Sequence, residues 1–217
     1  MGKEEQARHY RVDTERMIDS VVGLPDQIED AWERSGDFGS GLGSASGPLI
    51  ICGMGGSAIG GQMLADLVKS DSSRPVHLER GYRLPEFAGP ETPAICISYS
   101  GNTEEVISSF HDALDRKCPT AVITSGGLLG EEAKSAGVPV HDTPGGMPPR
   151  AALGHIFTPL LKAISNLGIY PVTDEEVISA VRKLRDLVKR YSLGSEPAGN
   201  IAIQLTKKLY GKIPLIY

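Results

Sequence analysis

Five short apolar runs punctuate the middle of the chain: Leu49 to Cys52, Val76 to Leu78, Ala94 to Ser98, Ala121 to Thr124 and Val138 to Val140. Each is bounded by turn residues and is continuously apolar, the habit of parallel strands covered on both faces. Between them, apolar residues recur at helical spacing in Ser57 to Lys69 (Ile59, Met63, Leu64, Leu67), Thr103 to Arg116 (Val106, Ile107, Phe110, Leu114) and Leu128 to Ala136. The link from Leu78 to Thr92 carries Gly and Pro instead and predicts irregular backbone. Strand and helix in repeated alternation, joined by right-handed crossovers, predict an α/β chain: a three-layer αβα sandwich around a five-stranded parallel sheet.

The flanks read differently. From Thr14 to Arg34 the apolar positions Met17, Val21, Leu24, Ile28 and Trp32 have helical spacing interrupted by Pro25, which predicts two short helices as a preface to the domain. Ser35 to Gly47 is rich in Gly and Ser and reads as a linker whose side chains cannot build a core. Beyond the sheet, Arg150 to Leu167 and Asp174 to Tyr191 predict two longer helices, Gly194 to Gly199 a break, and Ile201 to Tyr210 a further amphipathic helix. The final run, Ile213 to Tyr217, is apolar. A helix followed by a bare apolar strand is how a second α/β domain begins, and an unpaired apolar strand at a terminus is an aggregation hazard. The expectation is therefore a piece of a longer two-domain protein: a helical segment and linker at 1–44, one domain at 45–170, and a helical connection at 171–217 that starts a second.

Charge narrows the partners. With 22 Lys and Arg against 27 Asp and Glu, the net charge is -5, which argues against a nucleic-acid surface because backbone phosphates need clustered cations. One phosphate can still be held by backbone N–H groups and hydroxyls in a local pocket. No apolar run approaches the roughly 18 residues of a membrane span. The opening MGKEEQARHYR is charged and lacks the apolar core of a signal peptide, so a cytoplasmic chain is expected. Cys52, Cys96 and Cys118 are odd in number and lack metal-ligand spacing, and two lie in strand-like runs; they read as buried free thiols.

Candidate chemistry sits where strands run into helices. The first strand ends in Gly53-Met54-Gly55-Gly56-Ser57-Ala58, where glycines allow tight backbone turns and a helix N-terminus favours an anion. The same letters fit a dinucleotide-binding turn, and Glu79 stands where a ribose-binding acid would. The third strand ends in Ser98-Tyr99-Ser100-Gly101-Asn102-Thr103-Glu104-Glu105, again entering a helix. In a doubly wound sheet of order 2-1-3-4-5, strands one and three flank the topological switch point, so both loops converge. A phosphate there would collect hydroxyls from Ser57, Ser98, Ser100 and Thr103, a cluster that a dinucleotide has no need of. Taken singly, a Ser or Thr before a helix is more often a plain N-cap, and Glu104 and Glu105 read as partners of the helix dipole.

GMGGS, SYSGNTEE and the PPRAAL run at Pro148 to Leu153 together resemble the sugar isomerase (SIS) domain, with its flavodoxin-like sheet, and in particular the bifunctional phosphoglucose/phosphomannose isomerases. The resemblance covers about residues 45 to 170. It implies interconversion of glucose 6-phosphate or mannose 6-phosphate with fructose 6-phosphate through a cis-enediolate. It also implies phosphate binding by Gly56, Ser57, Ser98, Ser100 and Thr103, and a catalytic Arg150 near the reacting carbons. A planar, permanently charged guanidinium suits developing enediolate oxygens; the plainer reading of Arg150 is a surface salt bridge at a helix start. The proton-abstracting Glu, with a His and a Lys for ring opening, is implied to come from a second SIS domain, and a homodimer is implied as the assembly. No cofactor or metal is implied. Near Arg150 there is one histidine, His155, whose spacing puts it on another side of the helix in a structural role; His9, His77, His111 and His141 form no constellation. The competing functional class is a SIS module that senses a sugar phosphate and catalyses nothing.

Overall fold

The computed structural model describes residues 13–43, 45–192 and 199–215. Helix α1 (Met17–Val22) begins where the Asp13 carboxylate accepts the N–H groups of Met17 and Ile18 at 2.7 and 2.9 Å. The chain breaks at Gly23, and α2 (Leu24–Ser35) carries Pro25 in its first turn, where a missing N–H is harmless.

The sheet is wholly parallel in the order β2-β1-β3-β4-β5. Its strands are β1 (Leu49–Gly53), β2 (Val76–Glu79), β3 (Ala94–Ser98), β4 (Thr120–Thr124) and β5 (Val140–Asp142). Alternate side chains leave opposite faces. Leu49, Ile51, Ile95, Ile97 and Ile123 pack against Leu64 of α3 (Gly55–Val68) and against Ile156, Leu160 and Ile164 of the helix that follows the sheet. Ile50, Cys52, Cys96 and Val122 pack against Val106 and Phe110 of α4 (Glu104–Asp115) and Leu129 of α5 (Gly127–Ser135). Three layers result, as the alternation predicts. The three cysteines are buried and free; the Cys96 hydrogen bond, and then burial, push the Cys52 thiol well up.

Three expectations need correction. The Gly/Ser stretch is no bare linker: Phe38 and Leu42 are buried in the core, and Ser40–Leu42 forms a 3-10 turn. Two apolar side chains spaced by glycines can reach the sheet because the glycines between them bend the chain. The fifth strand starts two residues late, because the Val138 N–H returns to the Ala133 carbonyl at 2.9 Å and closes α5 instead. The helix expected from Arg150 is split into a 3-10 turn (Pro149–Ala151) and α6 (Leu153–Asn166), with Pro149 starting the turn.

α7 (Asp174–Tyr191) has the expected bounds and is opened by a reciprocal capping box: Thr173 Oγ1 accepts the Glu176 N–H at 3.2 Å, and Glu176 Oε2 accepts the Thr173 N–H at 2.9 Å. Thr173→Ala is expected to lower unfolding free energy by about 1 kcal/mol, read from the urea midpoint; an unchanged midpoint would show that α2 alone holds α7 in place. α8 (Ile201–Leu209) is capped by Asn200, whose Oδ1 accepts from Ala202 and Ile203. Of the expected break, 194–198 lies outside the described residues, as do 216–217 of the terminal run; 213–215 are exposed and form no strand. No described helix is long and apolar enough to cross a membrane.

Candidate functional site

The loops after β1 and β3 do meet. Ser57, in the first turn of α3, is buried, and its Oγ accepts the backbone N–H of Tyr99 at 3.3 Å. An oxygen oriented by that bond keeps its own proton to donate. Ser100, exposed on the second loop, is arranged alike: its Oγ accepts the Asn102 N–H at 3.3 Å. Ser98 and Thr103 are used differently. Their hydroxyls are 2.9 Å apart, and Ser98 is fully buried at the end of β3, so the pair closes the loop on itself and retains one proton between them. Thr103 is therefore no plain N-cap, for its side chain makes no capping bond to α4. Nor does any described side chain cap α3, whose flanking residue is Met54. The first N–H groups of both helices lack intrahelical partners, and the two helices follow neighbouring strands, β1 and β3. Two positive helix ends and a set of O–H donors on adjoining loops are the chemistry that a receptor for an oxyanion would use.

Arg150 stands beside this receptor. A Cβ added to Gly56 would come within 3.1 Å of the Arg150 nitrogen and 3.2 Å of the Pro149 carbonyl carbon, so the 3-10 turn rests closely on the first turn of α3. The guanidinium itself points to the N-terminal segment: Nη2 donates to Glu15 Oε2 at 2.6 Å, in a pair about 60% exposed on both sides (61% and 58%). This is the surface salt bridge of the plainer reading, in an exposed setting where such a pair holds weakly. His155 is buried between α2 and α6 with Nδ1 3.6 Å from Asp30 Oδ2, and burial pulls its pKa down; Arg150 lies outside its helix, in the 3-10 turn. Glu79, the acid of the dinucleotide reading, accepts the Gly81 N–H at 2.6 Å and so shapes its own turn.

Three contributors escaped the sequence reading. The loop after β4 forms a third wall: Ser125 donates its N–H and hydroxyl to the Tyr99 carbonyl at 3.0 and 2.5 Å, and Asn102 Oδ1 accepts the Leu128 N–H at 3.1 Å. Its signal, Ser125-Gly126-Gly127 at a strand end, is visible in the sequence. Gln27 of α2 is buried and bridges to the Arg150 turn, donating to the Ala151 carbonyl at 2.9 Å and accepting the Gly154 N–H at 3.1 Å. The helix pair is thus part of the site's frame and no mere preface. Tyr99 is the third, buried among all these loops.

A five-stranded parallel sheet in this order, layered between helices, is a fold that this chain shares with phosphosugar isomerases of known structure. A candidate phosphosugar isomerase of known structure from Silicibacter pomeroyi DSS-3 superposes with a TM-score of 0.60 at 13% identity, over 80% of this chain and 55% of its own. No protein-family model matches the chain. By sequence it is a homologue of the bifunctional phosphoglucose/phosphomannose isomerases. It is 39% identical to that of Caldicellulosiruptor bescii over 202 residues, which is 93% of this chain and 60% of the relative. The Aquifex aeolicus enzyme is 33% identical over 204 residues, 94% of this chain and 58% of the relative. The chain thus spans somewhat over half the length of these relatives.

Proposed function

We propose that this chain is the phosphate-gripping part of an isomerase that interconverts glucose 6-phosphate, or mannose 6-phosphate, with fructose 6-phosphate through a cis-enediolate. The observation that carries the reading is the bond from the Tyr99 N–H to Ser57 Oγ, which joins the two hydroxyl-bearing loops into one receptor. In this reading the sugar's phosphate lies against the N-termini of α3 and α4, taking N–H donors near Gly56 and O–H donors from Ser57, Ser100 and the Ser98–Thr103 pair. Arg150 exchanges Glu15 for the enediolate oxygens, where a fixed cation stabilises developing negative charge. Proton abstraction is left to a carboxylate from a second SIS domain. The organisation that goes with it is a helical segment at 1–44, the SIS domain at 45–170 and a connection at 171–217, in a cytoplasmic homodimer.

Calorimetric titration of the 217-residue chain with glucose 6-phosphate, fructose 6-phosphate and NAD tests the grip. Both sugar phosphates should bind, inorganic phosphate should compete, and Ser100→Ala should weaken binding roughly tenfold, the loss of one hydrogen bond to a charged group. NAD binding without sugar-phosphate binding would overturn the reading. A two-domain protein that binds both sugars and turns over neither would establish the sensing module in its place.

A further inference from the structure

Tyr99 occupies a place that the phosphate grip does not explain. Its backbone belongs to the receptor, donating to Ser57 and accepting from Ser125. Its side chain leaves in another direction. The phenol donates to the Pro144 carbonyl at 2.8 Å and accepts the Met147 N–H at 3.1 Å, and the residue is 5% exposed. These contacts grasp the segment that joins β5 to the Arg150 turn. That segment contains Gly145 and Gly146, the latter at a φ of 90°, so its own backbone provides little stiffness. At one end the Thr143 N–H is fixed to the Thr124 carbonyl at 2.8 Å, and at the other the Ala151 carbonyl is held by the Gln27 side-chain amide at 2.9 Å. Between those anchors, the hydrogen bonds of Pro144 and Met147 among the described residues go to the Tyr99 phenol.

From this we infer that Tyr99 is a positioning residue that couples phosphate occupancy to the placement of Arg150. An anion drawing in the Ser57 and Ser98–Thr103 loops fixes the Tyr99 backbone. The rigid ring transmits that placement to Pro144 and Met147, and the loop then presents Arg150 beside the bound sugar. Without the hydroxyl the phosphate grip persists, but the segment from Pro144 to Met147 loses its tether, and Gln27 alone holds the far side of the Arg150 turn. The inference rests on the function proposed above for Arg150.

A matched ligand pair tests it on the 217-residue chain. D-arabinonate 5-phosphate carries a planar carboxylate where the enediolate oxygens would form, and D-arabinitol 5-phosphate carries a neutral hydroxymethyl group in its place. Their affinity ratio therefore reads Arg150, and their common affinity reads the phosphate grip. The ratio should be roughly tenfold in the wild type, near one in Arg150→Ala, and below about threefold in Tyr99→Phe, with arabinitol 5-phosphate affinity in Tyr99→Phe within twofold of wild type. Equal weakening of both ligands in Tyr99→Phe would reduce Tyr99 to a structural role, and an unchanged ratio would remove it from the coupling; either overturns the inference. A wild-type ratio near one, or one insensitive to Arg150→Ala, would overturn the reading of Arg150 and this inference together. Hydrogen exchange in the wild type provides a check free of any folding defect in the variant. Inorganic phosphate should slow the Met147 amide together with that of Tyr99, and protection of Tyr99 alone would overturn the coupling.

Discussion

Replacing Gly101 with alanine is expected to weaken glucose 6-phosphate binding about a hundredfold and to lower unfolding free energy by about 3 kcal/mol. Gly101 adopts a φ of 71°, and a Cβ there would overlap the carbonyl oxygen of Gly126. The opposite face of the contact is built alike: Gly127 adopts a φ of 66°, and its Cβ would overlap the carbonyl oxygen of Ser100. The loops after β3 and β4 therefore meet backbone to backbone, and the Leu129 N–H donates across the joint to the Gly101 carbonyl at 2.9 Å. A side chain can rotate away from an intruding methyl group, but a carbonyl in a hydrogen-bonded turn cannot. The methyl would drive the loop off Gly126 and displace Ser100 and Thr103 from the crevice, and a displacement of about 1 Å is enough for a hundredfold loss. Gly137→Ala is the control. Gly137 has nearly the same φ, 69°, but nothing lies within 4 Å of its added Cβ. It should lose only the left-handed conformational preference, about 1–2 kcal/mol, and bind the ligand as the wild type does. If the two variants behave alike in calorimetry and urea unfolding, the closed joint is not what shapes the receptor.

The same joint shows why some of this site could be read from the sequence and some could not. Strand-to-helix loops announce themselves, because a continuous apolar run followed by Gly and Ser and then helical periodicity has few other meanings. Ser57, Ser100 and Thr103 are legible in that way as hydroxyls at strand ends, and the order 2-1-3-4-5 puts their loops side by side. What escaped were relations between distant residues. Gln27 looks like any polar residue on an amphipathic helix until Ala151 and Gly154 arrive beside it, 124 and 127 positions later. Arg150 and Glu15 are 135 apart. Phe38 and Leu42 are hidden by the glycines around them, since a local window averages two core residues into a linker. Ser98 was legible as a hydroxyl near the site, but its full burial and its bond to Thr103 follow from strand geometry, which composition does not carry.

Acidification from pH 7 to pH 5 is expected to remove about 2 kcal/mol of stability through His141 alone. This residue is 5% exposed on β5, edge-on to Phe38 with ring centroids 5.5 Å apart, and its Nε2 has no hydrogen-bond partner among the described residues. Burial is the main reason its pKa falls to about 4; Arg34 of α2 lowers it further, as does His155 of α6, while Asp142 beside it and Asp30 of α2 oppose them. His155 is shifted in the same direction, again chiefly by burial. In the unfolded chain a histidine titrates near 6.5. Between that value and about 4 the unfolded chain therefore binds the proton and the folded chain does not. Stability is complete above the unfolded pKa, declines as pH falls through this window, and levels off once the folded state also protonates. Urea midpoints at pH 7 and pH 5 measure the decline directly. His141→Phe keeps a ring against Phe38 and removes the titrating group, so most of the loss should disappear in that variant. A variant with the wild-type pH dependence would move the acid sensitivity away from the contact of α2, β5 and α6. A flattened profile would assign the acid sensitivity to His141, buried without a charge-stabilising partner that outweighs its desolvation.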